Sequence, residues 1–191
     1  MARGPRLAAL AGLWVTGSAA AFPDGAPWGA ADADAAEHCG TCHFGSDPVS
    51  DSDALSLSGW PETLDAERVY ALVLRFEADG AATAGAQVLV RSAGAEAGAF
   101  VAVPADMETD GAKARTTRPR QVGDGPVAWK LEWRAPGAST APVTFCAGAA
   151  AANDDASAFG DILHFRCFEA GPEPRAEPGG AGADREDRKR P

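Results

Sequence analysis

Val127-Ala128-Trp129-Lys130-Leu131-Glu132-Trp133 (VAWKLEW, 127–133) alternates apolar and polar residues without a break. A period of two puts Val127, Trp129, Leu131 and Trp133 on one face of a strand and leaves the charges on the other.

Reading outward, the same signal recurs. Val69–Phe76 (VYALVLRF), Gln87–Arg91 (QVLVR), Ala99–Val103 (AFVAV), Val143–Ala147 and Ile162–Phe168 are short runs rich in aliphatic and aromatic residues, and Ala54–Ser58 alternates. The gaps hold Gly, Pro, Asp and Asn, the residues of tight turns. Several short strands at such spacing predict an all-β antiparallel sandwich or barrel over 54–168. No period of 3.6 is sustained, which argues against a helical bundle.

The flanks have other compositions. Met1–Arg6 carries two arginines and no acid, Leu7–Val15 is apolar, and Ser18–Ala21 supplies small residues. That is the layout of a secretory signal peptide over 1–21, and its apolar run is too short to span a bilayer. No cysteine stands at the cleavage position. The expected product is exported, periplasmic or at the cell surface, and not membrane-spanning after signal removal. Glu169–Pro191 has no branched aliphatic or aromatic residue and reads as a disordered tail. The formal charge is −10, and more negative once the leader's arginines are gone. This argues against nucleic acid as a partner and suits a protein partner with a basic patch.

Between leader and sandwich, 22–53 contains His38-Cys39-Gly40-Thr41-Cys42-His43. Cys-x-x-Cys-His is the attachment signature of a c-type haem. The two thiols add across the porphyrin vinyl groups, and the adjacent imidazole ligates the iron. Chance gives this spacing in such a composition with a frequency on the order of one in a thousand. Cys39 and Cys42 are therefore expected to hold one haem c, with His43 as an axial ligand. The competing readings are a Cys39–Cys42 disulfide or a zinc or copper loop. The sixth iron position has two candidates. His164 lies in the last predicted strand, and Met107 lies in the polar loop Pro104–Gly111. A five-coordinate iron is the third option, and His38 is too close to Cys39 to reach the far face. Trp28 stands alone in a turn-rich arm, where it is able to pack onto whatever the motif holds.

Cys146 and Cys167 are equidistant from the centre of the polar segment Asn153–Gly160. If the last two strands form a hairpin, these cysteines fall opposite each other and form a cross-strand disulfide.

The chain also resembles the reelin-like (reeler) domain, in the bacterial version known as choice-of-anchor V. The resemblance rests on Cys39–His43 near the mature N-terminus, then Leu57-Ser58-Gly59-Trp60-Pro61. It continues through Trp129–Pro136, Val143-Thr144-Phe145, the small-residue Ala/Gly/Asn loop Ala147–Asn153, and Gly160-Asp161-Ile162. It covers roughly 38–168 and implies an immunoglobulin-like β-sandwich on the cell surface or in the periplasm. Two departures stand out. Cys146 replaces the residue usual after Val-Thr-Phe, and the group's carboxyl-terminal membrane or sorting anchor is not seen.

Together these readings predict an exported monohaem electron-transfer protein with an unidentified redox partner. The alternative is a non-catalytic extracellular binding or adhesion module. No Ser/His/Asp or Cys/His constellation supports an enzyme.

Overall fold

The fold was analysed in a computed structural model, which describes residue 28, residue 43, 45–137, 141–155 and 157–172. The signal peptide, Cys39, Cys42, His38 and the tail from 173 lie outside the described residues.

Eleven strands are described: β1 Leu55–Ser58, β2 Val69–Phe76, β3 Thr83–Ser92, β4 Ala95–Glu96, β5 Ala99–Ala102, β6 Met107–Asp110, β7 Lys113–Thr116, β8 Arg120–Gln121, β9 Val127–Arg134, β10 Val143–Ala152 and β11 Ile162–Ala170. One sheet has the order β1-β2-β9-β5. The other runs β11-β10-β3-β7-β6, with β4 and β8 also paired to β3. All named strand pairs are antiparallel. The architecture is thus an all-β, two-sheet antiparallel sandwich, and not a closed barrel.

The alternation of 127–133 holds residue by residue: Val127, Trp129, Leu131 and Trp133 are all buried. Opposite them in β2 stand Phe76, Leu74, Leu72 and Tyr70, also buried. The second sheet answers with small side chains. Ala147, Ala149 and Ala151 of β10 pair with Val88, Ala86 and Ala84 of β3, and all join the same core. Large residues on one layer matched by small ones on the other let two sheets approach to the usual spacing without voids.

The Gly59-Trp60-Pro61 stretch has a physical role here. Gly59 has φ +85°, and a Cβ there would lie 2.2 Å from the Ala71 carbonyl oxygen. Only glycine allows this turn. The turn delivers Trp60 onto Trp133 and Phe145, with ring centroids 5.2 and 5.5 Å apart.

Three expectations are corrected. Pro104–Gly111 is not simply a loop, because β6 and β7 pair there as a hairpin and bury Met107. Thr109 and Asp110 lack the apolar alternation that marks a strand, so the hairpin was invisible to pattern reading. The small-residue stretch after Phe145 is strand as far as Ala152, since alanines match the flat inner face that the tryptophans require. Glu169 and Ala170 extend β11 instead of opening the tail. Ala170 is fully buried, and a parallel bridge joins Gly171 to Thr63.

The hairpin expectation holds. Cys146 pairs with Cys167 in the β10–β11 register, and the two form a disulfide across a sequence separation of 21. Closing a loop of this length stabilises the fold by about 3 kcal/mol on the chain-entropy account. The double variant Cys146→Ala/Cys167→Ala should therefore lose about 3 kcal/mol in urea unfolding. A loss below about 1 kcal/mol would mean that the sandwich already restrains this hairpin without the bridge.

Candidate functional site

The site forms where the chain following Cys42 meets the edge strand β11. An edge strand carries unpaired amides and carbonyls that must be covered. Residues 49–52 cover part of this edge. Val49 N–H donates to the Leu163 carbonyl at 2.8 Å, and Phe165 N–H donates to the Val49 carbonyl at 2.8 Å. Ser52 N–H then donates to the Phe165 carbonyl at 3.0 Å. This stitching holds the segment after the motif against the β10–β11 hairpin.

The hairpin turn is ordered by its own side chains. Asn153 Oδ1 accepts from the Asp155 amide, Asp155 Oδ1 from the Ser157 amide, and Ser157 Oγ from the Phe159 amide. Such side-chain-to-backbone bonds are why Asn, Asp and Ser favour turns. Gly45, with φ +103°, lies so close to this turn that a Cβ would sit 3.0 Å from the Phe159 ring and 3.2 Å from the Gly160 nitrogen. Phe159 itself is 59% exposed.

Immediately before β11, Asp161 points inward and is only 3% exposed. Its Oδ2 lies 2.9 Å from Nδ1 of His43, whose side chain is 30% exposed. Asp161 Oδ1 is buried without a hydrogen-bond partner. A carboxylate that accepts from Nδ1–H fixes the ring's tautomer and turns Nε2 into a free lone pair. That is the second-layer arrangement found behind metal-bound histidines.

His164 occupies a different environment. It sits on β11 opposite Ala149, and Val49 bridges to it from the other side. Its Nδ1 is 2.8 Å from Ser52 Oγ, and its ring meets the edge of Phe76 at 5.2 Å. Ser52 is buried, and its Oγ also accepts from the Ala54 amide at 3.2 Å. His164 Nε2 is buried without a partner. Burial pushes this imidazole below its ordinary range, because the charged form is desolvated.

Met107, on β6, lies 6% exposed at the opposite edge of the sheet from β11. Four strand spacings put it about 19 Å away along the sheet. The structure does not bring it to His43. His43 and His164 are anchored three positions apart in the chain, one through Asp161 just before β11 and one on β11 itself. Trp28 packs under the Arg115 guanidinium, 4.4 Å from ring centroid to carbon. Sequence reading missed Asp161 and Ser52 as site residues. An aspartate between glycine and a strand ordinarily signals an exposed turn, and nothing local foretells its burial.

Among the described residues, no group of three or more His, Cys, Asp or Glu side chains is placed to hold a metal ion. No helix among them is long and apolar enough to cross a membrane.

The fold and site define a two-sheet antiparallel sandwich with a histidine–carboxylate pair at one edge strand. Among solved structures, the chain is similar to the human F-spondin reeler domain, with 14% identity and a TM-score of 0.47 over 66% of this chain and 93% of that one. It is also similar to the Reelin-N domain of F-spondin, with 14% identity and a TM-score of 0.49 over 70% and 94%. No family model and no curated protein matches the chain.

The depressed His164 has a consequence for stability. The folded state prefers the neutral ring, while the unfolded chain takes up a proton near the ordinary value of 6.5. Stability is therefore intact above that pH and falls as the pH drops below it, until the folded ring also protonates. Urea midpoints measured from pH 7.5 down to 5 should decline in the wild type. His164→Gln should flatten that decline, and an unchanged slope would remove His164 as its source.

Proposed function

We propose that this chain is an exported monohaem c-type protein that transfers electrons through a haem on Cys39 and Cys42, with His43 as an iron ligand and a reeler-like, immunoglobulin-like sandwich as its scaffold. The observation that carries this reading is the His43–Asp161 pair. A histidine that ends a Cys-x-x-Cys-His motif has its Nδ1 held at 2.9 Å by a buried carboxylate, which frees Nε2 for iron. The donor set fits the group, since two thiols and an imidazole with an orienting carboxylate are what covalent haem attachment uses.

When bound, the haem supplies a one-electron couple. The chain's own residues supply the rest. Asp161 fixes the ring of His43, and the Val49–Ser52 stitching fixes the segment that follows. The acidic surface suits a redox partner with a basic docking patch.

Ligation by His164 on the iron's second side requires its ring to leave Ser52 and Phe76. Met107 has no such route from the far edge of the sheet, so this reading leaves it in the core.

The decisive measurement is a pyridine haemochrome spectrum of acid-acetone-washed protein, produced with its leader in a host that matures c-type cytochromes. The expected result is a c-type band, with one haem added in the intact mass and loss of both in Cys39→Ala/Cys42→Ala. A colourless protein with a mass two hydrogens below the reduced chain would instead make Cys39–Cys42 a disulfide. The extracellular binding module would then be the better reading.

A further inference from the structure

The two sheets differ in what they leave wet. A sheet in a two-layer sandwich ordinarily buries one face and solvates the other. The β1-β2-β9-β5 sheet obeys this: Ala71, Arg75, Lys130, Glu132 and Arg134 alternate with core residues and are exposed. The sheet that contains β3, β10 and β11 is dry on both faces. Val88 and Val90 of β3 and Ala147, Ala149 and Ala151 of β10 line the core, so Gln87, Leu89, Cys146 and Gly148 face outward. Register puts Phe165 opposite Gly148 and Leu163 opposite Ala150, on the same outer side. Yet Leu89 is 3% exposed, Gln87 4%, and Leu163 and Phe165 6% each. Val101, on the outer side of the first sheet, is 43% exposed. Every described strand belongs to one of the two sheets, so none of them lies over this dry outer face.

We propose that this outer face is the docking surface for the chain's own residues 29–42, which form a third layer on the sandwich. The described residues bracket that segment at both ends. Trp28 packs on Arg115 of β7, which stands opposite Gln87 and so shares its outer side. His43 is held by Asp161, one residue before β11. Three strand spacings across the sheet and four residues along it separate the anchors, a span of about 20 Å. Fifteen residue steps reach about 50 Å when extended, so the segment has length enough to cross the face and spread over it. Its sequence suits the surface. Alanine stands at 30, 31, 33, 35 and 36, and over 31–35 it alternates with Asp32 and Asp34. A period of two gives small apolar side chains for the sheet and carboxylates for water. Gly148 and Ala150 at the centre of the face have no bulk to hold such side chains off. The carboxyl-terminal tail is a poorer occupant. It departs from Gly171, beyond the exposed Cys167, and offers no branched aliphatic or aromatic residue. This inference is independent of what Cys39 and Cys42 hold.

The test is hydroxyl-radical footprinting of the exported chain, read by mass spectrometry at Leu89, Leu163 and Phe165, with Val69 and Val101 as exposed references. Corrected for intrinsic reactivity, the three should label about tenfold more slowly than the references, in line with their exposures, and dilution should not change this. The triple variant Ala31→Asp/Ala33→Asp/Ala35→Asp places charge on the docking side of the segment without touching the sandwich. It should raise labelling at all three positions severalfold and leave Val69 and Val101 unchanged. Truncation after Pro172 should alter none of them. Ready labelling in the wild type overturns the inference, as does unchanged labelling in the triple variant. Protection lost on dilution would assign the face to a second copy, and protection lost on truncation would assign it to the tail; either also overturns it. Should the triple variant fail to accumulate, the wild-type protein decides by NMR. Nuclear Overhauser contacts from alanine methyls of 29–42 to the methyls of Leu89 and Leu163 support the third layer, and their absence overturns it.

Discussion

The β2–β9 ladder is the constraint from which the rest of the molecule follows. Tyr70, Leu72, Leu74 and Phe76 stand opposite Trp133, Leu131, Trp129 and Val127, and every one of these eight side chains is buried. A slip of one residue would turn the whole set to solvent, so this pairing admits a single register. It also dictates the other layer. Two fully buried tryptophans leave little depth, and β10 and β3 meet them with alanine and valine. Trp133 donates its indole N–H to the Ala97 carbonyl at 3.3 Å, so its polar edge is satisfied inside the core.

The second layer has an edge at β11, and the function proposed here is built on that edge. Sandwiches must cover their outer strands, and this one does so with chain from the amino-terminal side of the domain. Val49 to Ser52 lie along the first half of β11, and Thr63 meets Gly171 just beyond its end. Covering the edge therefore also carries His43 to Asp161. Structural economy and site assembly are one event: the contacts that blunt the strand are those that deliver His43.

Two histidines at the same edge of the sheet are given different tasks by their surroundings. His43 is partly exposed and backed by a carboxylate, an environment that prepares the outer nitrogen for a cation. His164 is backed by a neutral hydroxyl and an aromatic edge, an environment that keeps the ring uncharged and in place. Composition alone makes these residues equivalent, and the neighbours separate them.

Much of the sandwich is legible without coordinates. The period of two over 127–133 and 69–76, the turn residues between strands, and the symmetric placement of Cys146 and Cys167 about 153–160 are local signals, and each is realised. The β6–β7 hairpin is not legible, because its residues are polar and its pairing is settled by the space beside β3. The site divides in the same way. The motif at 39–43 and the candidacy of His43 are determined by the chain itself, since thiol and imidazole spacing is a covalent fact. Asp161 lies 118 residues from His43, and Ser52 lies 112 from His164. Only the tertiary structure decided those pairs, because burial and hydrogen-bond partners across such separations are fixed by how the sheet edge is closed and by no local pattern.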